Sequence, residues 1–209
     1  MRKTIWSFMV CAVLGLFLLI PTTTAAAVLF TDIKGHWAEP NISTLVDGKY
    51  IKGYGDNTFR PDRTISRAEF LTILMNIKGL KASSSSANSF GDISGHWARG
   101  LINEAVSQGI VVKNEYSGIF KPDQALQRSE ATAMMVRALG QQPDNGPITF
   151  TDKANVEKSI YRGYIKSAYD LGLISGFNDG QFKPFESITR AQACTVLNNF
   201  LKKTGTLQI

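Results

Sequence analysis

Apolar residues recur at helical spacing in two stretches of each third of the chain. The faces of the first stretch carry Ile42, Leu45 and Val46, then Leu101, Ile102, Ala105 and Val106, then Tyr164, Ile165 and Ala168. The faces of the second carry Phe70, Leu71, Ile73, Leu74 and Ile77, then Met134, Met135, Ala138 and Leu139, then Cys194, Val196, Leu197, Phe200 and Leu201. Positions three and four residues apart share one side of an α-helix. The pattern predicts two helices in each third.

The segments between the paired helices have the composition of turns. The runs GYGDN at 53–57 and GFNDG at 176–180 are rich in Gly, Asn and Asp, which tolerate positive φ. Each segment then reaches the sequence Phe-x-Pro, and proline is excluded from an ordinary helix interior. The chain is therefore predicted to be mainly α, built from helix-loop-helix units.

The same motifs mark three copies of one unit. FTDIKGHWA at 30–38, FGDISGHWA at 90–98 and FTDKANVEKSIY at 150–161 begin 60 residues apart. We assign repeats to residues 28–80, 90–139 and 150–203, polar linkers to 81–89 and 140–149, and a tail to 204–209. A two-helix unit cannot bury its apolar face alone, so the three repeats are expected to pack into one pseudo-threefold body.

The first residues have the pattern of a secretory signal peptide. The sequence MRK precedes an apolar run from Ile5 to Ile20, and small residues follow, which predicts a leader over residues 1–27. The run is short for a spanning helix, so an uncleaved anchor is the less favoured alternative. We therefore expect a secreted protein with no membrane association after cleavage.

Net charge limits the possible binding partners, and cysteine content limits the possible disulfides. Loss of Arg2 and Lys3 with the leader lowers the formal net charge from +6 to +4. This mild excess is compatible with an anionic partner at the cell surface, and export disfavours nucleic acid. Only Cys194 follows the leader, so no intramolecular disulfide can form. Its slot holds Leu71 and Thr132 in the other copies, which predicts a buried packing residue.

An arginine stands at the start of the second helix in every repeat. Ser66 and Glu69 have the spacing of a capping box, which makes Arg67 the first helical residue. Arg128 and Arg190 occupy the same position, each six residues beyond the proline of its repeat. A helix N-terminus already carries partial positive charge, so a cation there is unfavourable unless an anion lies opposite. The recurrence predicts an anion-binding site.

Together these motifs resemble the S-layer homology (SLH) family, over about residues 30–201. The resemblance implies a three-pronged spindle around a central three-helix bundle, on the cell wall or surface layer of a bacterium. It implies that grooves between repeats bind a secondary cell wall polymer linked to peptidoglycan, often one bearing pyruvate ketals. The arginine carries over as a ligand contact at Arg67, Arg128 and Arg190. The acid of that motif carries over to Glu69 and Glu130, and Gln192 replaces it in the third repeat.

Other candidate ligand-binding residues flank the arginines. The candidates are the aspartates of the Phe-x-Asp motifs, Asp32, Asp92 and Asp152, the loop glycines Gly53, Gly55 and Gly176, and the tryptophans Trp37 and Trp97. The aspartates are expected either to accept sugar hydroxyls or to cap a helix or brace the arginine. The tryptophans are expected in the core or in a groove wall rather than stacked directly on a sugar. His36 and His96 stand in equivalent slots of different repeats, so no metal and no cofactor is predicted.

Two other functions compete with polymer binding. Asp32 and Glu69 could serve as the acid and base of a polysaccharide hydrolase. Three copies of the pair favour triplicated binding instead, and the linkers and tail are expected to have no room for a catalytic domain. The alternative that the chain is an assembly module, which binds surface-layer proteins, stays open. Because Arg128 follows the poor cap Gln127 and its own repeat has an altered loop, we expect its loss to weaken polymer binding least.

Overall fold

The computed structural model describes residues 30–205 as helices joined by loops. Its seven α-helices in that range are α1 Glu39–Asp47, α2 Arg67–Ile77, α3 Arg99–Ser107, α4 Arg128–Ala138, α5 Lys153–Lys158, α6 Arg162–Asp170 and α7 Arg190–Lys203. A 3-10 turn covers Lys113–Glu115, and the described part contains isolated β-bridges but no strand. The prediction of a mainly α chain is confirmed. The leader predicted over residues 1–27 lies outside the described residues.

The predicted helix pairs are α1 with α2, α3 with α4, and α6 with α7. The short helix α5 takes up the three residues by which the third repeat exceeds the others before its first helix. The side-chain caps predicted at the starts of α2 and α7 are present, and α4 has none. Ser66 accepts from the backbone of Glu69 and Thr189 from that of Gln192, whereas Gln127 makes no side-chain cap. Helix α4 therefore starts without the side-chain cap that stabilises α2 and α7.

The repeats pack in a closed cycle. The second helix of each repeat contacts the first helix of the next, with α2 against α3, α4 against α6, and α7 back against α1. Buried apolar side chains from all three repeats form one cluster, which includes Phe59, Phe120 and Phe182 at equivalent positions. Cys194 is fully buried in it, as predicted, and burial raises the pKa of its thiol to about 12. Each repeat thus contributes one sector of a common core.

A ring of backbone hydrogen bonds closes the cycle where the three loops meet the second helices. The amide of Leu126 donates to the carbonyl of Ile65, Ile65 donates to Ile188, and Ile188 donates to Leu126, with N to O distances of 2.9, 3.1 and 3.0 Å. All three side chains are buried. The ring places the N-termini of α2, α4 and α7 next to one another, because each residue lies two positions before the arginine that begins its helix.

The two linkers lie along the first helices of the repeats that follow them. Arg99 donates to the carbonyl of Ser85, and Arg162, which holds the equivalent position in the third repeat, donates to the carbonyl of Gly146. A Cβ added to Gly100 would stand 2.8 Å from Ala82, so the linker passes directly over the helix start. These contacts fix the course of the polar linkers across the surface.

Candidate functional site

The three arginines are buried at the helix starts and do not extend into solvent. Arg67, Arg128 and Arg190 are 9%, 5% and 4% exposed, and each is the first residue of its helix. A guanidinium cannot lose its charge at neutral pH, so its burial requires acceptors nearby. For Arg128, burial lowers the pKa to about 10, against the opposing influence of Glu186 and Asp152.

Each guanidinium reaches the loop of the next repeat in the cycle. The shared acceptor is the carbonyl of the phenylalanine in Phe-x-Pro: Arg67 Nη1 to Phe120 is 2.6 Å, Arg128 Nε to Phe182 is 2.8 Å, and Arg190 Nε to Phe59 is 2.9 Å. A second loop carbonyl accepts from Arg128 and from Arg190, namely that of Ser175 and of Lys52. The same arginines lie over aromatic rings of these loops, including Tyr116, Phe177 and Tyr54. The site is therefore assembled between repeats.

This arrangement corrects one step of the sequence reasoning. Arg128 was expected to work with the altered loop of its own repeat. It instead contacts the third repeat, whose loop is unaltered, and the altered loop of the second repeat lies against Arg67. The physical reason is the cyclic docking of each helix start on a neighbouring loop. Of the two reasons for ranking Arg128 last, the altered loop is wrong, whereas the poor cap at Gln127 is confirmed, and the ranking itself stays a prediction.

The three aspartates bind backbone amides of their own repeats. Both carboxylate oxygens of Asp32 accept, from the amides of Phe59 at 2.8 Å and Arg60 at 2.7 Å. Asp92 binds Phe120 and Lys121, and Asp152 binds Phe182 and Lys183, in the same way. The residue between Phe and Pro has positive φ in every repeat, +57°, +52° and +59°. Because such a conformation is costly for a residue with a side chain, the aspartate stabilises a strained turn that aims the phenylalanine carbonyl at the arginine.

The residues at the third helical position differ between repeats. Glu69 and Gln192 each accept from the backbone amide of the cap residue, Ser66 or Thr189, at 2.9 and 3.1 Å. Glu69 also contacts Arg63 and lies 3.9 Å from Arg190 Nη1. Glu130 makes no capping bond and is 2% exposed. It accepts instead from Arg67 Nε at 2.6 Å and from the Tyr116 hydroxyl at 2.7 Å.

The candidate glycines have different roles. A Cβ on Gly53 would lie 2.0 Å from the ring of Phe30, and one on Gly176 would lie 3.0 Å from the ring of Phe150. These two glycines let the phenylalanine that begins each of these repeats pack against the loop. A Cβ on Gly55 would meet nothing within 4 Å, so no packing requirement applies there.

Two open grooves lie between repeats beside buried arginines. The Arg190 groove has a volume of about 400 Å³ and is lined by Lys52, Tyr54, Glu69, Asn76, Trp97 and Arg190. The Arg128 groove has a volume of about 450 Å³ and is lined by Trp37, Arg128, Ser175, Phe177, Gln192 and Asn199. Both volumes fall in the range of small-ligand sites. Each groove combines one loop and second helix, an arginine from the preceding repeat, and a tryptophan from the remaining one.

Trp37 and Trp97 form groove walls. They are 60% and 63% exposed, which excludes the core position that the sequence left open. Each indole packs beside the preceding histidine, with ring centroids 5.4 and 5.2 Å apart. The histidines in turn contact Asp62 and Asp123, and their Nδ1 atoms accept from the amides of Ala38 and Ala98. The tryptophan faces are thus held open to solvent at the groove edges.

Some groove residues were missed by the sequence reasoning. Thr72 and Asn76 line the Arg190 groove, and Thr195 and Asn199 line the Arg128 groove at the equivalent positions. The available signal was a polar residue five and nine positions after the arginine, on a helix that is otherwise largely apolar. Within residues 30–205, no group of three or more His, Cys, Asp or Glu side chains is placed to hold a metal ion.

Comparison with protein-family models identifies the family of the three repeats. The model of the S-layer homology domain matches residues 29–71, 89–132 and 149–194. The chain therefore belongs to the S-layer homology family, with three tandem domains, and the resemblance drawn from its motifs is confirmed.

Curated relatives include surface proteins and an enzyme. S-layer protein EA1 of Bacillus anthracis is 30% identical over 199 residues, 90% of this chain and 22% of that protein. The cellulosome-anchoring protein of Acetivibrio thermocellus is 33% identical over 155 residues, 70% of this chain and 34% of that protein. An amylopullulanase of Thermoanaerobacterium thermosulfurigenes is 28% identical over 184 residues, 85% of this chain and 10% of the enzyme. The chain spans about a third or less of the length of these relatives. No helix within residues 30–205 is long and apolar enough to cross a bilayer.

Proposed function

We propose that this chain is a non-covalent anchoring module that binds an acidic secondary cell wall polysaccharide, linked to peptidoglycan, at the surface of a bacterium. The observation that carries the proposal is the pair of grooves in which a buried arginine lies beside an exposed tryptophan and amide or hydroxyl side chains. Indole faces suit sugar rings, and amides suit sugar hydroxyls. A guanidinium suits a carboxylate, such as that of a pyruvate ketal.

The shape implied by the family belongs to the same proposal. We propose a three-pronged spindle around a central bundle of α2, α4 and α7, divided into the repeats and linkers assigned above. Contacts of α2 with both α4 and α7, together with the hydrogen-bonded ring of Ile65, Leu126 and Ile188, support this shape. The grooves then lie between the prongs, where a polymer can approach from outside.

The arginines, aspartates and glycines enter the proposal in distinct roles. Arg128 and Arg190 are proposed to contact an anionic group of the polymer. Asp32, Asp92 and Asp152 are proposed to act indirectly, because both oxygens of each carboxylate already accept backbone hydrogen bonds. Gly53 and Gly176 are proposed to shape the loop, and Gly55 to allow close approach of a ligand.

Catalysis is the less favoured function. Asp32 is held by two amides, and Glu69 is held by its cap residue and Arg63, so neither carboxylate is positioned as a general acid or base. We expect incubation with purified sacculi to release no reducing ends, with lysozyme as the positive control. Release that disappears in Glu69→Gln would establish a hydrolase instead.

Sedimentation with cell-wall sacculi tests the binding function. The protein should sediment with native sacculi and stay in solution with sacculi from which mild acid has removed the polymer. The double variant Trp37→Ala and Trp97→Ala should lose at least about tenfold in affinity, the change that about 1.4 kcal/mol produces. Phe185→Ala removes an exposed aromatic residue that lines neither groove and serves as the matched control.

The outcome also separates the two remaining alternatives. Equal sedimentation with native and stripped sacculi would contradict polymer binding. Retention that instead requires a second surface-layer protein would support the assembly module.

A further inference from the structure

We infer that the third inter-repeat position, formed by Arg67 and the loop of the second repeat, is closed by the chain's own Glu130 and Tyr116, so that the protein binds two polymer segments and not three. We call this position the Arg67 interface. The inference rests on the proposed function and concerns which of its sites are open.

The Glu130 carboxylate binds Arg67 at the position where an anionic ligand would bind. Its Oε1 lies 2.6 Å from Arg67 Nε, and the Glu130 side chain is 3% exposed. In the two open grooves Nε donates to a phenylalanine carbonyl; at the Arg67 interface that carbonyl is bound by Nη1. The guanidinium of Arg67 is therefore oriented differently from those of Arg128 and Arg190. Its charge is already neutralised by Glu130 within the protein.

The orientation of the side chain at the third helical position differs in α4. Glu69 and Gln192 are retained at the helix start by the amides of Ser66 and Thr189. Gln127 offers no side-chain cap, and the equivalent Glu130 side chain turns toward Arg67. A charged residue in a buried position requires a partner, and the neighbouring arginine supplies it.

The residues that line the two open grooves are replaced at the equivalent positions of the Arg67 interface. Thr72 and Thr195 of the open grooves correspond to Ala133, and Asn76 and Asn199 correspond to Arg137. Lys52 and Ser175 correspond to Val112, and Trp37 and Trp97 correspond to Ile160. Arg137 is bound to Glu115, with 3.0 Å between Nη1 and Oε2, and Ala133 is buried. The proposed sugar-contacting residues are therefore replaced by apolar residues at three positions and by an arginine already bound to Glu115 at the fourth.

The tyrosines beneath Arg67 and Arg190 differ in their hydrogen bonding. The hydroxyl of Tyr116 donates to Glu130, and burial, followed by the Glu130 charge, raises the pKa of Tyr116. In the described structure, the buried hydroxyl of Tyr54 in the Arg190 groove has no protein partner. Among the described residues Arg128 forms no ion pair with a carboxylate, and Arg190 Nη1 lies 3.9 Å from Glu69, whose carboxylate is also held by Ser66 and Arg63. The Tyr54 hydroxyl and the Arg128 charge thus lack the internal partner that Glu130 supplies at the Arg67 interface.

Arginine Nε–H signals in nuclear magnetic resonance spectra test the inference directly. The probe is the pyruvate ketal of a methyl hexopyranoside, with the neutral glycoside as control, and Arg→Lys variants assign the signals. We expect saturation at two equivalents, with shifts at Arg128 and Arg190 and none at Arg67. Saturation at three equivalents, or a shift of the Arg67 signal on titration, would overturn the inference.

A substitution at the Arg67 interface tests the proposed cause. Glu130→Gln removes the carboxylate that accepts from Arg67 Nε. The Arg67 Nε–H signal should then shift on titration with the ketal, while the Arg128 and Arg190 signals respond as in the unchanged protein. Gln192→Glu is the matched control, because it gives Arg128 the acid that Glu69 already supplies beside Arg190 in an open groove, and it should close neither groove. An Arg67 signal that stays unchanged in Glu130→Gln would contradict closure by the Glu130 charge.

The proposed function and this inference fail in different ways. Binding of the ketal at three sites would leave the proposed function standing and remove the inference. Absence of binding to both the ketal and native sacculi would remove both.

Discussion

The amide of Ile65 donates a hydrogen bond to the carbonyl of Ile188, with 3.1 Å between nitrogen and oxygen, and so joins the first repeat directly to the last. Leu126 completes the ring, and the arginines two residues later each contact the loop of another repeat. Folding of any one repeat therefore depends on surfaces supplied by the other two.

Deletion of residues 150–209 should abolish cooperative folding of the remaining chain. Helix α4 would lose its packing against α6, and Arg128 would lose the carbonyls of Ser175 and Phe182. A buried cation without acceptors is strongly destabilising. Thermal unfolding followed by circular dichroism measures the effect. A sharp transition together with dispersed amide resonances in the truncated chain would refute the closed cycle.

Asp92→Asn should lower the free energy of unfolding by roughly 1.5–3 kcal/mol, the net contribution of hydrogen bonds to a charged group. The asparagine keeps one acceptor oxygen and places an amide nitrogen where Asp92 now receives the amide of Phe120 or Lys121. Asp123→Asn is the matched control, because its side chain is 83% exposed, and it should change stability by no more than about 0.5 kcal/mol. Urea unfolding of both variants gives the comparison. Equal stability of the two would show that the bracing carboxylate contributes nothing.

Gly53→Ala should destabilise the protein, whereas Gly55→Ala should not. The added methyl group at Gly53 would lie 2.0 Å from the ring of Phe30, and the one at Gly55 would meet nothing within 4 Å. Overpacking of this kind costs about 1–3 kcal/mol. The melting temperatures of the two variants measure the difference. A larger loss for Gly55→Ala would contradict the packing of Phe30 against the loop.

The thiol of Cys194 should not react with Ellman's reagent at pH 8 until the protein unfolds. Burial raises its pKa to about 12, so the thiol is protonated and inaccessible in the native state. Cys11→Ser leaves Cys194 as the sole thiol for the measurement. The reaction rate should rise with urea along the global unfolding curve. Rapid labelling in native buffer would show that α7 opens locally.

Several features of the fold and site follow from sequence alone because their causes are local. The spacing of Ser66 and Glu69 fixes a capping box, and the residue after the cap must be helical, which places Arg67 at the helix start. The proline of each Phe-x-Pro separates the paired helices. Helical periodicity identified the buried faces, including the position of Cys194. The recurrence of one arginine in three copies predicted an anion site, and the resemblance to the S-layer homology family implied grooves between the repeats.

Only the tertiary structure decided which loop each arginine faces. Arg128 and Phe182 are 54 residues apart, and Arg190 and Phe59 are 131 residues apart, so no local pattern could pair them. The same holds for Glu130, because the orientation of its side chain depends on Arg67 and Tyr116 and not on the helix that carries it. Sequence determines where a helix begins and which face is apolar, since neighbouring residues set both. The partner of a buried charge is determined by the surfaces that meet around it when the three repeats close into a ring.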